Sequence, residues 1–192
     1  MSLSVAVLDH GMGNLRSVAK ALEAGGARVS VTSDPAEISA AAALCVPGQG
    51  IFSRCMANLT ASGLDRLVRD WVVAERPYLG ICLGMQILFE HSEEGEVDGL
   101  GILPGRVERL PSTVRVPHIG WNTVGGRYFY FDHSYAALPS DETIVGGWCE
   151  HGSRFAASVR TGSILAVQFH PEKSSTEGIS LLRRWVRAGG DE

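Results

Sequence analysis

Nowhere does this chain string together the ~18 consecutive apolar residues that a membrane-crossing helix needs. Its start, Met1-Ser2-Leu3-Ser4-Val5-Ala6-Val7-Leu8-Asp9, lacks a basic leader, and Asp9 interrupts the apolar run before a signal core could form. Both absences lead us to expect a soluble, cytoplasmic protein with no membrane association. Cysteine is sparse and unpaired: Cys45, Cys55, Cys82 and Cys149 show no Cys-x-x-Cys spacing, which argues against a disulfide framework or a structural zinc. The six histidines include no His-x-x-x-His pair, so no metal site is expected. Net positive charge is also lacking. A net charge of −4 argues against nucleic acid as a partner.

No disorder signature is present. With 45% hydrophobic and 20% charged residues over 192 positions, the chain has room for a full core, and one globular domain over residues 1–192 is expected. The first half alternates. Val5 to Leu8 reads as a strand, Asn14 can cap a helix over Leu15 to Ala24 that Gly25-Gly26 ends, and Val29 to Thr32 is a second strand. Asp34-Pro35 opens a short helix and Leu44 to Val46 is a third strand, so the pattern is βαβα and predicts a parallel sheet. A dinucleotide fingerprint fails, because Gly11-Met12-Gly13 would need a glycine where Arg16 stands and no acidic residue clearly ends the second strand; no cofactor is expected. From Gly99 to Arg160 the texture turns to short β-rich runs, Arg106 to Leu110, Tyr128 to Phe131, Ile144 to Trp148 and Phe155 to Val159, which suggest an antiparallel annex. Ser175 or Thr176 then caps a final helix with the apolar stripe Ile179, Leu182, Trp185 and Val186.

Two segments carry chemistry. In Gly80-Ile81-Cys82-Leu83-Gly84-Met85-Gln86 an apolar run meets a stretch with helical spacing, Leu83 to His91, so Cys82 sits on a strand-to-helix turn whose flanking glycines remove side chains that would collide. The positive end of that helix and a nearby imidazole would favour the reactive thiolate. In Gln168-Phe169-His170-Pro171-Glu172-Lys173, a buried-looking strand from Ile164 to Phe169 delivers His170 at its C-terminal end, and Pro171 turns the chain so that Glu172 can return to the ring. The roles expected are Cys82 as nucleophile, His170 as general base and acid, and Glu172 as the carboxylate that orients the imidazole. Taken singly, the thiol could be a small buried residue at a tight joint and the histidine a structural one. Their joint occurrence favours catalysis.

These motifs resemble those of the class I (triad) glutamine amidotransferases, which hydrolyse glutamine through a thioester. Three further segments, Asp9-His10-Gly11-Met12-Gly13-Asn14-Leu15-Arg16-Ser17, Pro117-His118-Ile119-Gly120-Trp121-Asn122 and Phe131-Asp132-His133-Ser134-Tyr135, are similar to the glutaminase subunits of imidazole glycerol phosphate synthases of histidine biosynthesis. The likeness runs from about Val5 to Val186. It implies a flavodoxin-like α/β fold with a mostly parallel central sheet, L-glutamine as substrate, and a (β/α)₈-barrel cyclase as partner in a heterodimer that takes up the ammonia. It also implies weak activity alone and strong stimulation by the liganded cyclase.

Site residues carry over by position. Pro47-Gly48-Gln49-Gly50 follows an apolar strand, and backbone N–H groups of such a loop can hold an oxyanion; Gly48, Gln49 and Leu83 are expected there, with Gly48 easing a peptide flip that the resemblance implies. Gly50, Gln86, His133, Ser134 and Tyr135 would bind substrate, Gln86 because it lies one helical turn beyond Cys82, and His133 to Tyr135 through backbone and side chains as the resemblance implies. Asn14, Trp121, Asn122, Tyr130 and Lys173 are implied at the docking face. Several positions depart from the family pattern: Gln49 stands for a small apolar residue, His10 for Tyr and Asp132 for an apolar residue, and the stretch between Trp121 and Tyr130 is short. A paralogue feeding a different synthase, or an inactive binding scaffold, remains an alternative.

Overall fold

The computed structural model describes residues 2–190. Strands β1 (Ser4–Leu8), β2 (Arg28–Thr32), β3 (Ala43–Gly48) and β4 (Tyr78–Cys82) alternate with helices α1 (Leu15–Gly25), α2 (Pro35–Ala40), α3 (Phe52–Ser62) and α4 (Leu64–Val73). Local chemistry sets these boundaries as expected. Asn14 Oδ1 accepts from Ser17 N and Gly26 adopts φ 105° beyond α1, while Asp34 Oδ1 accepts from Ala36 N ahead of Pro35.

A four-residue helix, α5 (Leu83–Gln86), follows β4, and then come β5 (Phe89–Ser92), β6 (Val97–Asp98), β7 (Leu103–Arg109), β8 (His118–Val124), β9 (Arg127–His133) and β10 (Tyr135–Pro139). The chain ends with β11 (Val145–His151), β12 (Ser153–Thr161), β13 (Ile164–Val167) and α6 (Ser175–Arg187). The central sheet has seven strands in the order β11-β12-β13-β4-β3-β1-β2. The five from β13 to β2 are mutually parallel, and β12 and β11 extend the edge antiparallel. A second sheet, β10-β7-β5-β6, lies apart, and β8 and β9 form a two-stranded hairpin. Its Gly125-Gly126 turn has φ 57° and 78°, the doubly positive pair that a tight two-residue hairpin demands.

Strand alternation divides the core. Val5 and Val7 of β1 and Cys45 of β3 face a layer built with Val18 and Leu22 of α1 and Leu182 and Trp185 of α6. Ala6, Leu8, Leu44 and Val46 face the opposite layer, with Phe52 and Leu59 of α3, Val68 and Trp71 of α4, and part of the second sheet. Covering both faces explains why these strands read as continuous apolar runs.

Three expectations are corrected. The helix expected over Leu83 to His91 stops at Gln86, because Phe89 to Ser92 pairs with β7 and β6 as a strand; Ile87, Leu88 and Phe89 are all fully buried, and a run buried on every side satisfies helical spacing as well as strand. The runs at Ile144 to Trp148 and Phe155 to Val159 belong to β11 and β12 of the central sheet rather than to the annex. The final helix is not capped by Ser175 or Thr176: its cap position is Ser174, whose hydroxyl instead donates to His170 O at 2.6 Å and accepts from Tyr130 N at 2.9 Å.

Candidate active site

Strands β3, β4 and β13 run parallel, so their C-terminal ends share one edge of the sheet, the usual location of sites in such folds. Cys82 is the last residue of β4 and takes φ 53° and ψ −106°, a conformation that costs a non-glycine residue roughly 1–3 kcal/mol. Two close approaches enforce it. A Cβ on Gly84 would stand 1.7 Å from Val46 O, and one on Gly80 would stand 2.6 Å from Gly84 O. The helix after Cys82 is four residues long, and its dipole is correspondingly small, so the polarising work expected of it falls to side chains.

His170 follows β13 by three residues and is fixed through its backbone: its N–H donates to Tyr130 O at 2.8 Å and its carbonyl accepts from Ser174 Oγ. A 3-10 turn over Pro171–Lys173, closed by Lys173 N on His170 O at 3.0 Å, swings Glu172 back toward the ring. His170 Nδ1 donates to Glu172 Oε1 at 2.8 Å, with both side chains nearly sealed from solvent at 1% and 3% exposure. Nε2 has no such partner and is the nitrogen free to exchange a proton. Burial pushes the His170 pKa down, but the electrostatic influence of Cys82 and then the hydrogen bond and charge of Glu172 outweigh it and raise it to about 10. The direction of that shift favours the charged imidazolium at neutral pH.

The sign of that shift gives a prediction. A raised folded pKa contributes stability that is complete below the unfolded histidine value near ~6.5 and is lost as pH climbs through about 10. Nitrogen NMR of labelled histidine should show the His170 ring doubly protonated at pH 8. In Cys82→Ala the largest raising influences are gone while burial remains, so the ring should be neutral at that pH. A neutral ring in the unmodified chain would refute the raised value.

Cys82 lines a cavity of about 340 Å³ together with Leu83, Gln49, Gly50, Gln86, His133, Ser134 and Tyr135. Gly48 pairs with Cys82 across β3 and β4. Its φ is not left-handed, so the need for glycine there is steric: a Cβ would lie 2.6 Å from Leu83 Cβ. Gly50, at φ 125°, is the left-handed residue of that loop. Gln86 donates from Nε2 to Tyr135 O at 2.8 Å and to Gln168 Oε1 at 3.0 Å, which leaves its carbonyl oxygen as the available group. The imidazole of His133 is already engaged, by Tyr135 O and by His118, so what His133 can offer a ligand is its backbone; the expected side-chain contact is corrected on this ground.

The hairpin β8–β9 presents an exposed apolar face. Trp121 and Tyr130 pair across it with ring centroids 6.1 Å apart, and Ile119, Trp121 and Tyr128 are 59%, 53% and 61% exposed. Lys173 Nζ lies 5.5 Å from the Tyr130 ring centroid and 3.5 Å from Asp132 Oδ2. Asn122 points the other way, donating to Glu150 O at 3.0 Å, as strand alternation requires of the neighbour of Trp121; its place on the docking face is corrected. Asn14 is exposed and serves as the cap of α1.

Two contributors were not anticipated as site residues. Glu94 lines the cavity, its Oε2 accepting from Phe52 N at 2.9 Å; in sequence it is one half of an unremarkable Glu93-Glu94 pair. His10 holds the glycine-rich loop, with Nε2 2.7 Å from Pro47 O and Nδ1 3.7 Å from Cys55 Sγ. A carbonyl only accepts, so Nε2 carries the proton and Nδ1 receives the thiol's.

Residues 6–188 match the family model described as glutamine amidotransferase class-I. The chain is 48% identical to the imidazole glycerol phosphate synthase subunit HisH of Aromatoleum aromaticum, over 95% of this chain and 97% of that one. It is 49% identical to the HisH subunit of Moorella thermoacetica, with 97% of each chain covered. It is also 43% identical to the imidazole glycerol phosphate synthase hisHF, chloroplastic, of Arabidopsis thaliana, where it covers 34% of the longer chain. Among solved structures, a glutamine amidotransferase crystal structure superposes with a TM-score of 0.77 at 24% identity, covering 97% of this chain and 98% of the other, a likeness of fold.

Proposed function

We infer, because the chain belongs to the class-I glutamine amidotransferases, that it is the glutaminase subunit of an imidazole glycerol phosphate synthase, hydrolysing glutamine to glutamate and ammonia for histidine biosynthesis. The observation that carries the chemistry is the sealed His170–Glu172 pair beside a strained cysteine that opens on a cavity of amino-acid size.

In this reading Cys82 attacks the side-chain amide of glutamine as a thiolate, the backbone N–H groups of Gln49 and Leu83 receive the oxyanion, and Gly48 keeps the two elements in contact. The His170 imidazolium gives its proton to the departing nitrogen, then as a neutral base takes one from the water that cleaves the thioester. Glu172 holds the ring and balances its charge in both steps. The carbonyl of Gln86 and the carboxylate of Glu94 receive the α-ammonium group of the substrate, and Gly50 and the backbone of His133, Ser134 and Tyr135 complete the pocket. Replacing Glu94 by Gln should raise KM for glutamine by roughly tenfold while changing kcat little, since the contact is the same in ground and transition states. An unchanged KM would remove Glu94 from the pocket.

Ammonia released into neutral water becomes ammonium and is no longer a nucleophile, so a subunit of this kind works against a partner that takes it up directly. The partner proposed is the (β/α)₈-barrel cyclase, forming a heterodimer in the cytoplasm. That a segment like this chain occupies about a third of the Arabidopsis hisHF polypeptide supports close association. The docking surface proposed is the exposed face of β8–β9, Trp121, Tyr130 and Lys173, with Asn14 there in the family's arrangement; the packed Trp121–Tyr130 pair has the composition of a binding hot spot. Titrating the purified chain with its cyclase should show little glutaminase activity alone and strong stimulation by the liganded cyclase. Trp121→Ala should weaken that binding roughly 30-fold or more, measured by calorimetry, without changing the melting temperature. Full activity without any partner, or wild-type affinity in Trp121→Ala, would contradict this assignment.

A further inference from the structure

Gln168 lies two residues before His170 and is fully buried, yet the triad mechanism leaves it without a task. Its Nε2 is 3.5 Å from Cys82 Sγ and its Oε1 is 3.0 Å from Gln86 Nε2. The two ends of a carboxamide fill nearly the same space and differ only in donating or accepting, so the surrounding partners decide which end meets the sulfur. They decide it one after another. The Tyr135 carbonyl can only accept, so Gln86 presents its NH₂ there, at 2.8 Å. The second hydrogen of that NH₂ meets Gln168, whose oxygen must face it, and the NH₂ of Gln168 is left facing the sulfur.

The Tyr135 carbonyl is fixed in its turn. His133 Nδ1 lies 2.8 Å from it and must donate, so a neutral His133 has an accepting Nε2. His118 Nδ1, 3.0 Å from that Nε2, must then donate, and the remaining His118 Nε2 accepts from Asn122 Nδ2 at 3.3 Å. Both rings are neutral: burial holds His133 down at about 3 and His118 at about 4, with neighbouring histidines lowering each further. Asn122 is anchored by giving its other hydrogen to Glu150 O at 3.0 Å and by accepting from Thr123 N at 2.7 Å. That series fixes the His133 tautomer and ends at the Tyr135 carbonyl, which accepts from both His133 and Gln86 and by itself sets the sense of Gln86 and then of Gln168.

We infer that Gln168 is a further catalytic residue, donating an amide hydrogen to the Cys82 sulfur, and that His133, its tautomer set by His118, is a positioning residue that holds in place the Tyr135 carbonyl on which Gln86, and through it the donor end of Gln168, is set. The inference rests on the glutaminase reading for its consequence. A thiolate is the attacking species, and an N–H aimed at it favours the charged form without offering a proton acceptor. His170, with Glu172 behind it, is the titrating group that acts on the same sulfur and stays in place when Gln168 or His133 is replaced.

The test measures alkylation of Cys82 by iodoacetamide at pH 7, with Cys82→Ser as the blank for the three other buried thiols, alongside kcat and KM for glutamine in the complex with the cyclase. Gln168→Glu puts an acceptor where the N–H stands; alkylation and kcat should each fall about tenfold, the worth of one charge-assisted hydrogen bond, while KM stays within about threefold. His133→Leu should reproduce the loss, and His133→Asn, which keeps a donor near the position of Nδ1, should restore both rates to within about threefold of the unmodified chain. Nitrogen NMR of the unmodified chain should show both rings neutral with the proton on Nδ1, a reading that needs no variant to fold. An Nε2-protonated His133, or unchanged alkylation in Gln168→Glu or His133→Leu proteins that melt normally, would overturn the inference. Glutamate absent from the wild-type complex despite normal alkylation would instead sink the glutaminase reading, and the alkylation series would still decide the role of Gln168.

Discussion

Glutamate release with the proposed cyclase partner should fall more than about 10³-fold when Cys82 is replaced by alanine, while the melting temperature should barely move. The first half of this expectation follows from the isolation of the thiol. Of the four cysteines, Cys82 alone lines the cavity, and the others are pushed away from reactivity by burial: Cys45 well above its ordinary value, Cys55 to about 12 and Cys149 to about 11. No second thiol can stand in. The second half follows from the backbone. Alanine at position 82 inherits the same φ of 53° and the same flanking glycines, so the strained turn is neither relieved nor worsened, and the substitution removes only the sulfur, which borders the cavity. The loss should therefore be a loss of chemistry at constant fold. Glutamate measured by a coupled assay, with thermal melts of both proteins, checks it. Residual hydrolysis within tenfold of the parent would mean that water is activated directly and that the thioester route is wrong.

Much of this arrangement was legible in the residues. The elbow could be read because it depends on local facts: two glycines at fixed distance from a cysteine, an apolar strand before it, and a Pro-Glu pair directly after a histidine. The parallel half of the sheet was legible for a related reason, since strands covered on both faces must be apolar throughout and helices between them carry their own caps. The segment after the elbow was not legible. Ile87 to Phe89 is apolar in either conformation, and only pairing with β7, itself a long-range contact, makes a strand of it. The same limit hides the second row of the site. Gln168, Gln86 and His133 acquire their roles from which end of each polar group meets the next, and that is settled by distances between elements that are 49 and 82 positions apart in the chain. Asn122 shows the limit from the other side. It lies beside Trp121 in sequence, yet strand alternation puts the tryptophan outside and the asparagine against β11.

Gly84→Ala should be the most damaging single methyl group that can be added to the site. An alanine Cβ at this position would stand 1.7 Å from Val46 O and 2.8 Å from Val46 C, both backbone atoms of β3, where no rotamer change can make room. Ordinary contact requires α5 and β3 to part by more than an ångström, and α5 is held from the other side as well, since Tyr78 Oη donates to Gly84 O at 2.7 Å. Overpacking against backbone of this kind costs at least ~3 kcal/mol, which for a chain of this size lowers Tm by roughly 6–12 °C. Gly63→Ala is the useful comparison: its Cβ would meet nothing within 4 Å, and its φ of 71° carries a conformational penalty of only about 1 kcal/mol. Activity should fall in the first variant beyond what stability explains. Val46 lies three residues before Gln49, and Gly84 follows Leu83, so the separation that relieves the clash also pulls apart the two backbone amides assigned to the oxyanion. At 15 °C, with the variant still folded, kcat should drop by about 10²-fold or more, the effect of losing one oxyanion donor. A Gly84→Ala protein that melts and turns over like the parent would show that the contact between α5 and β3 is not what aligns the elbow.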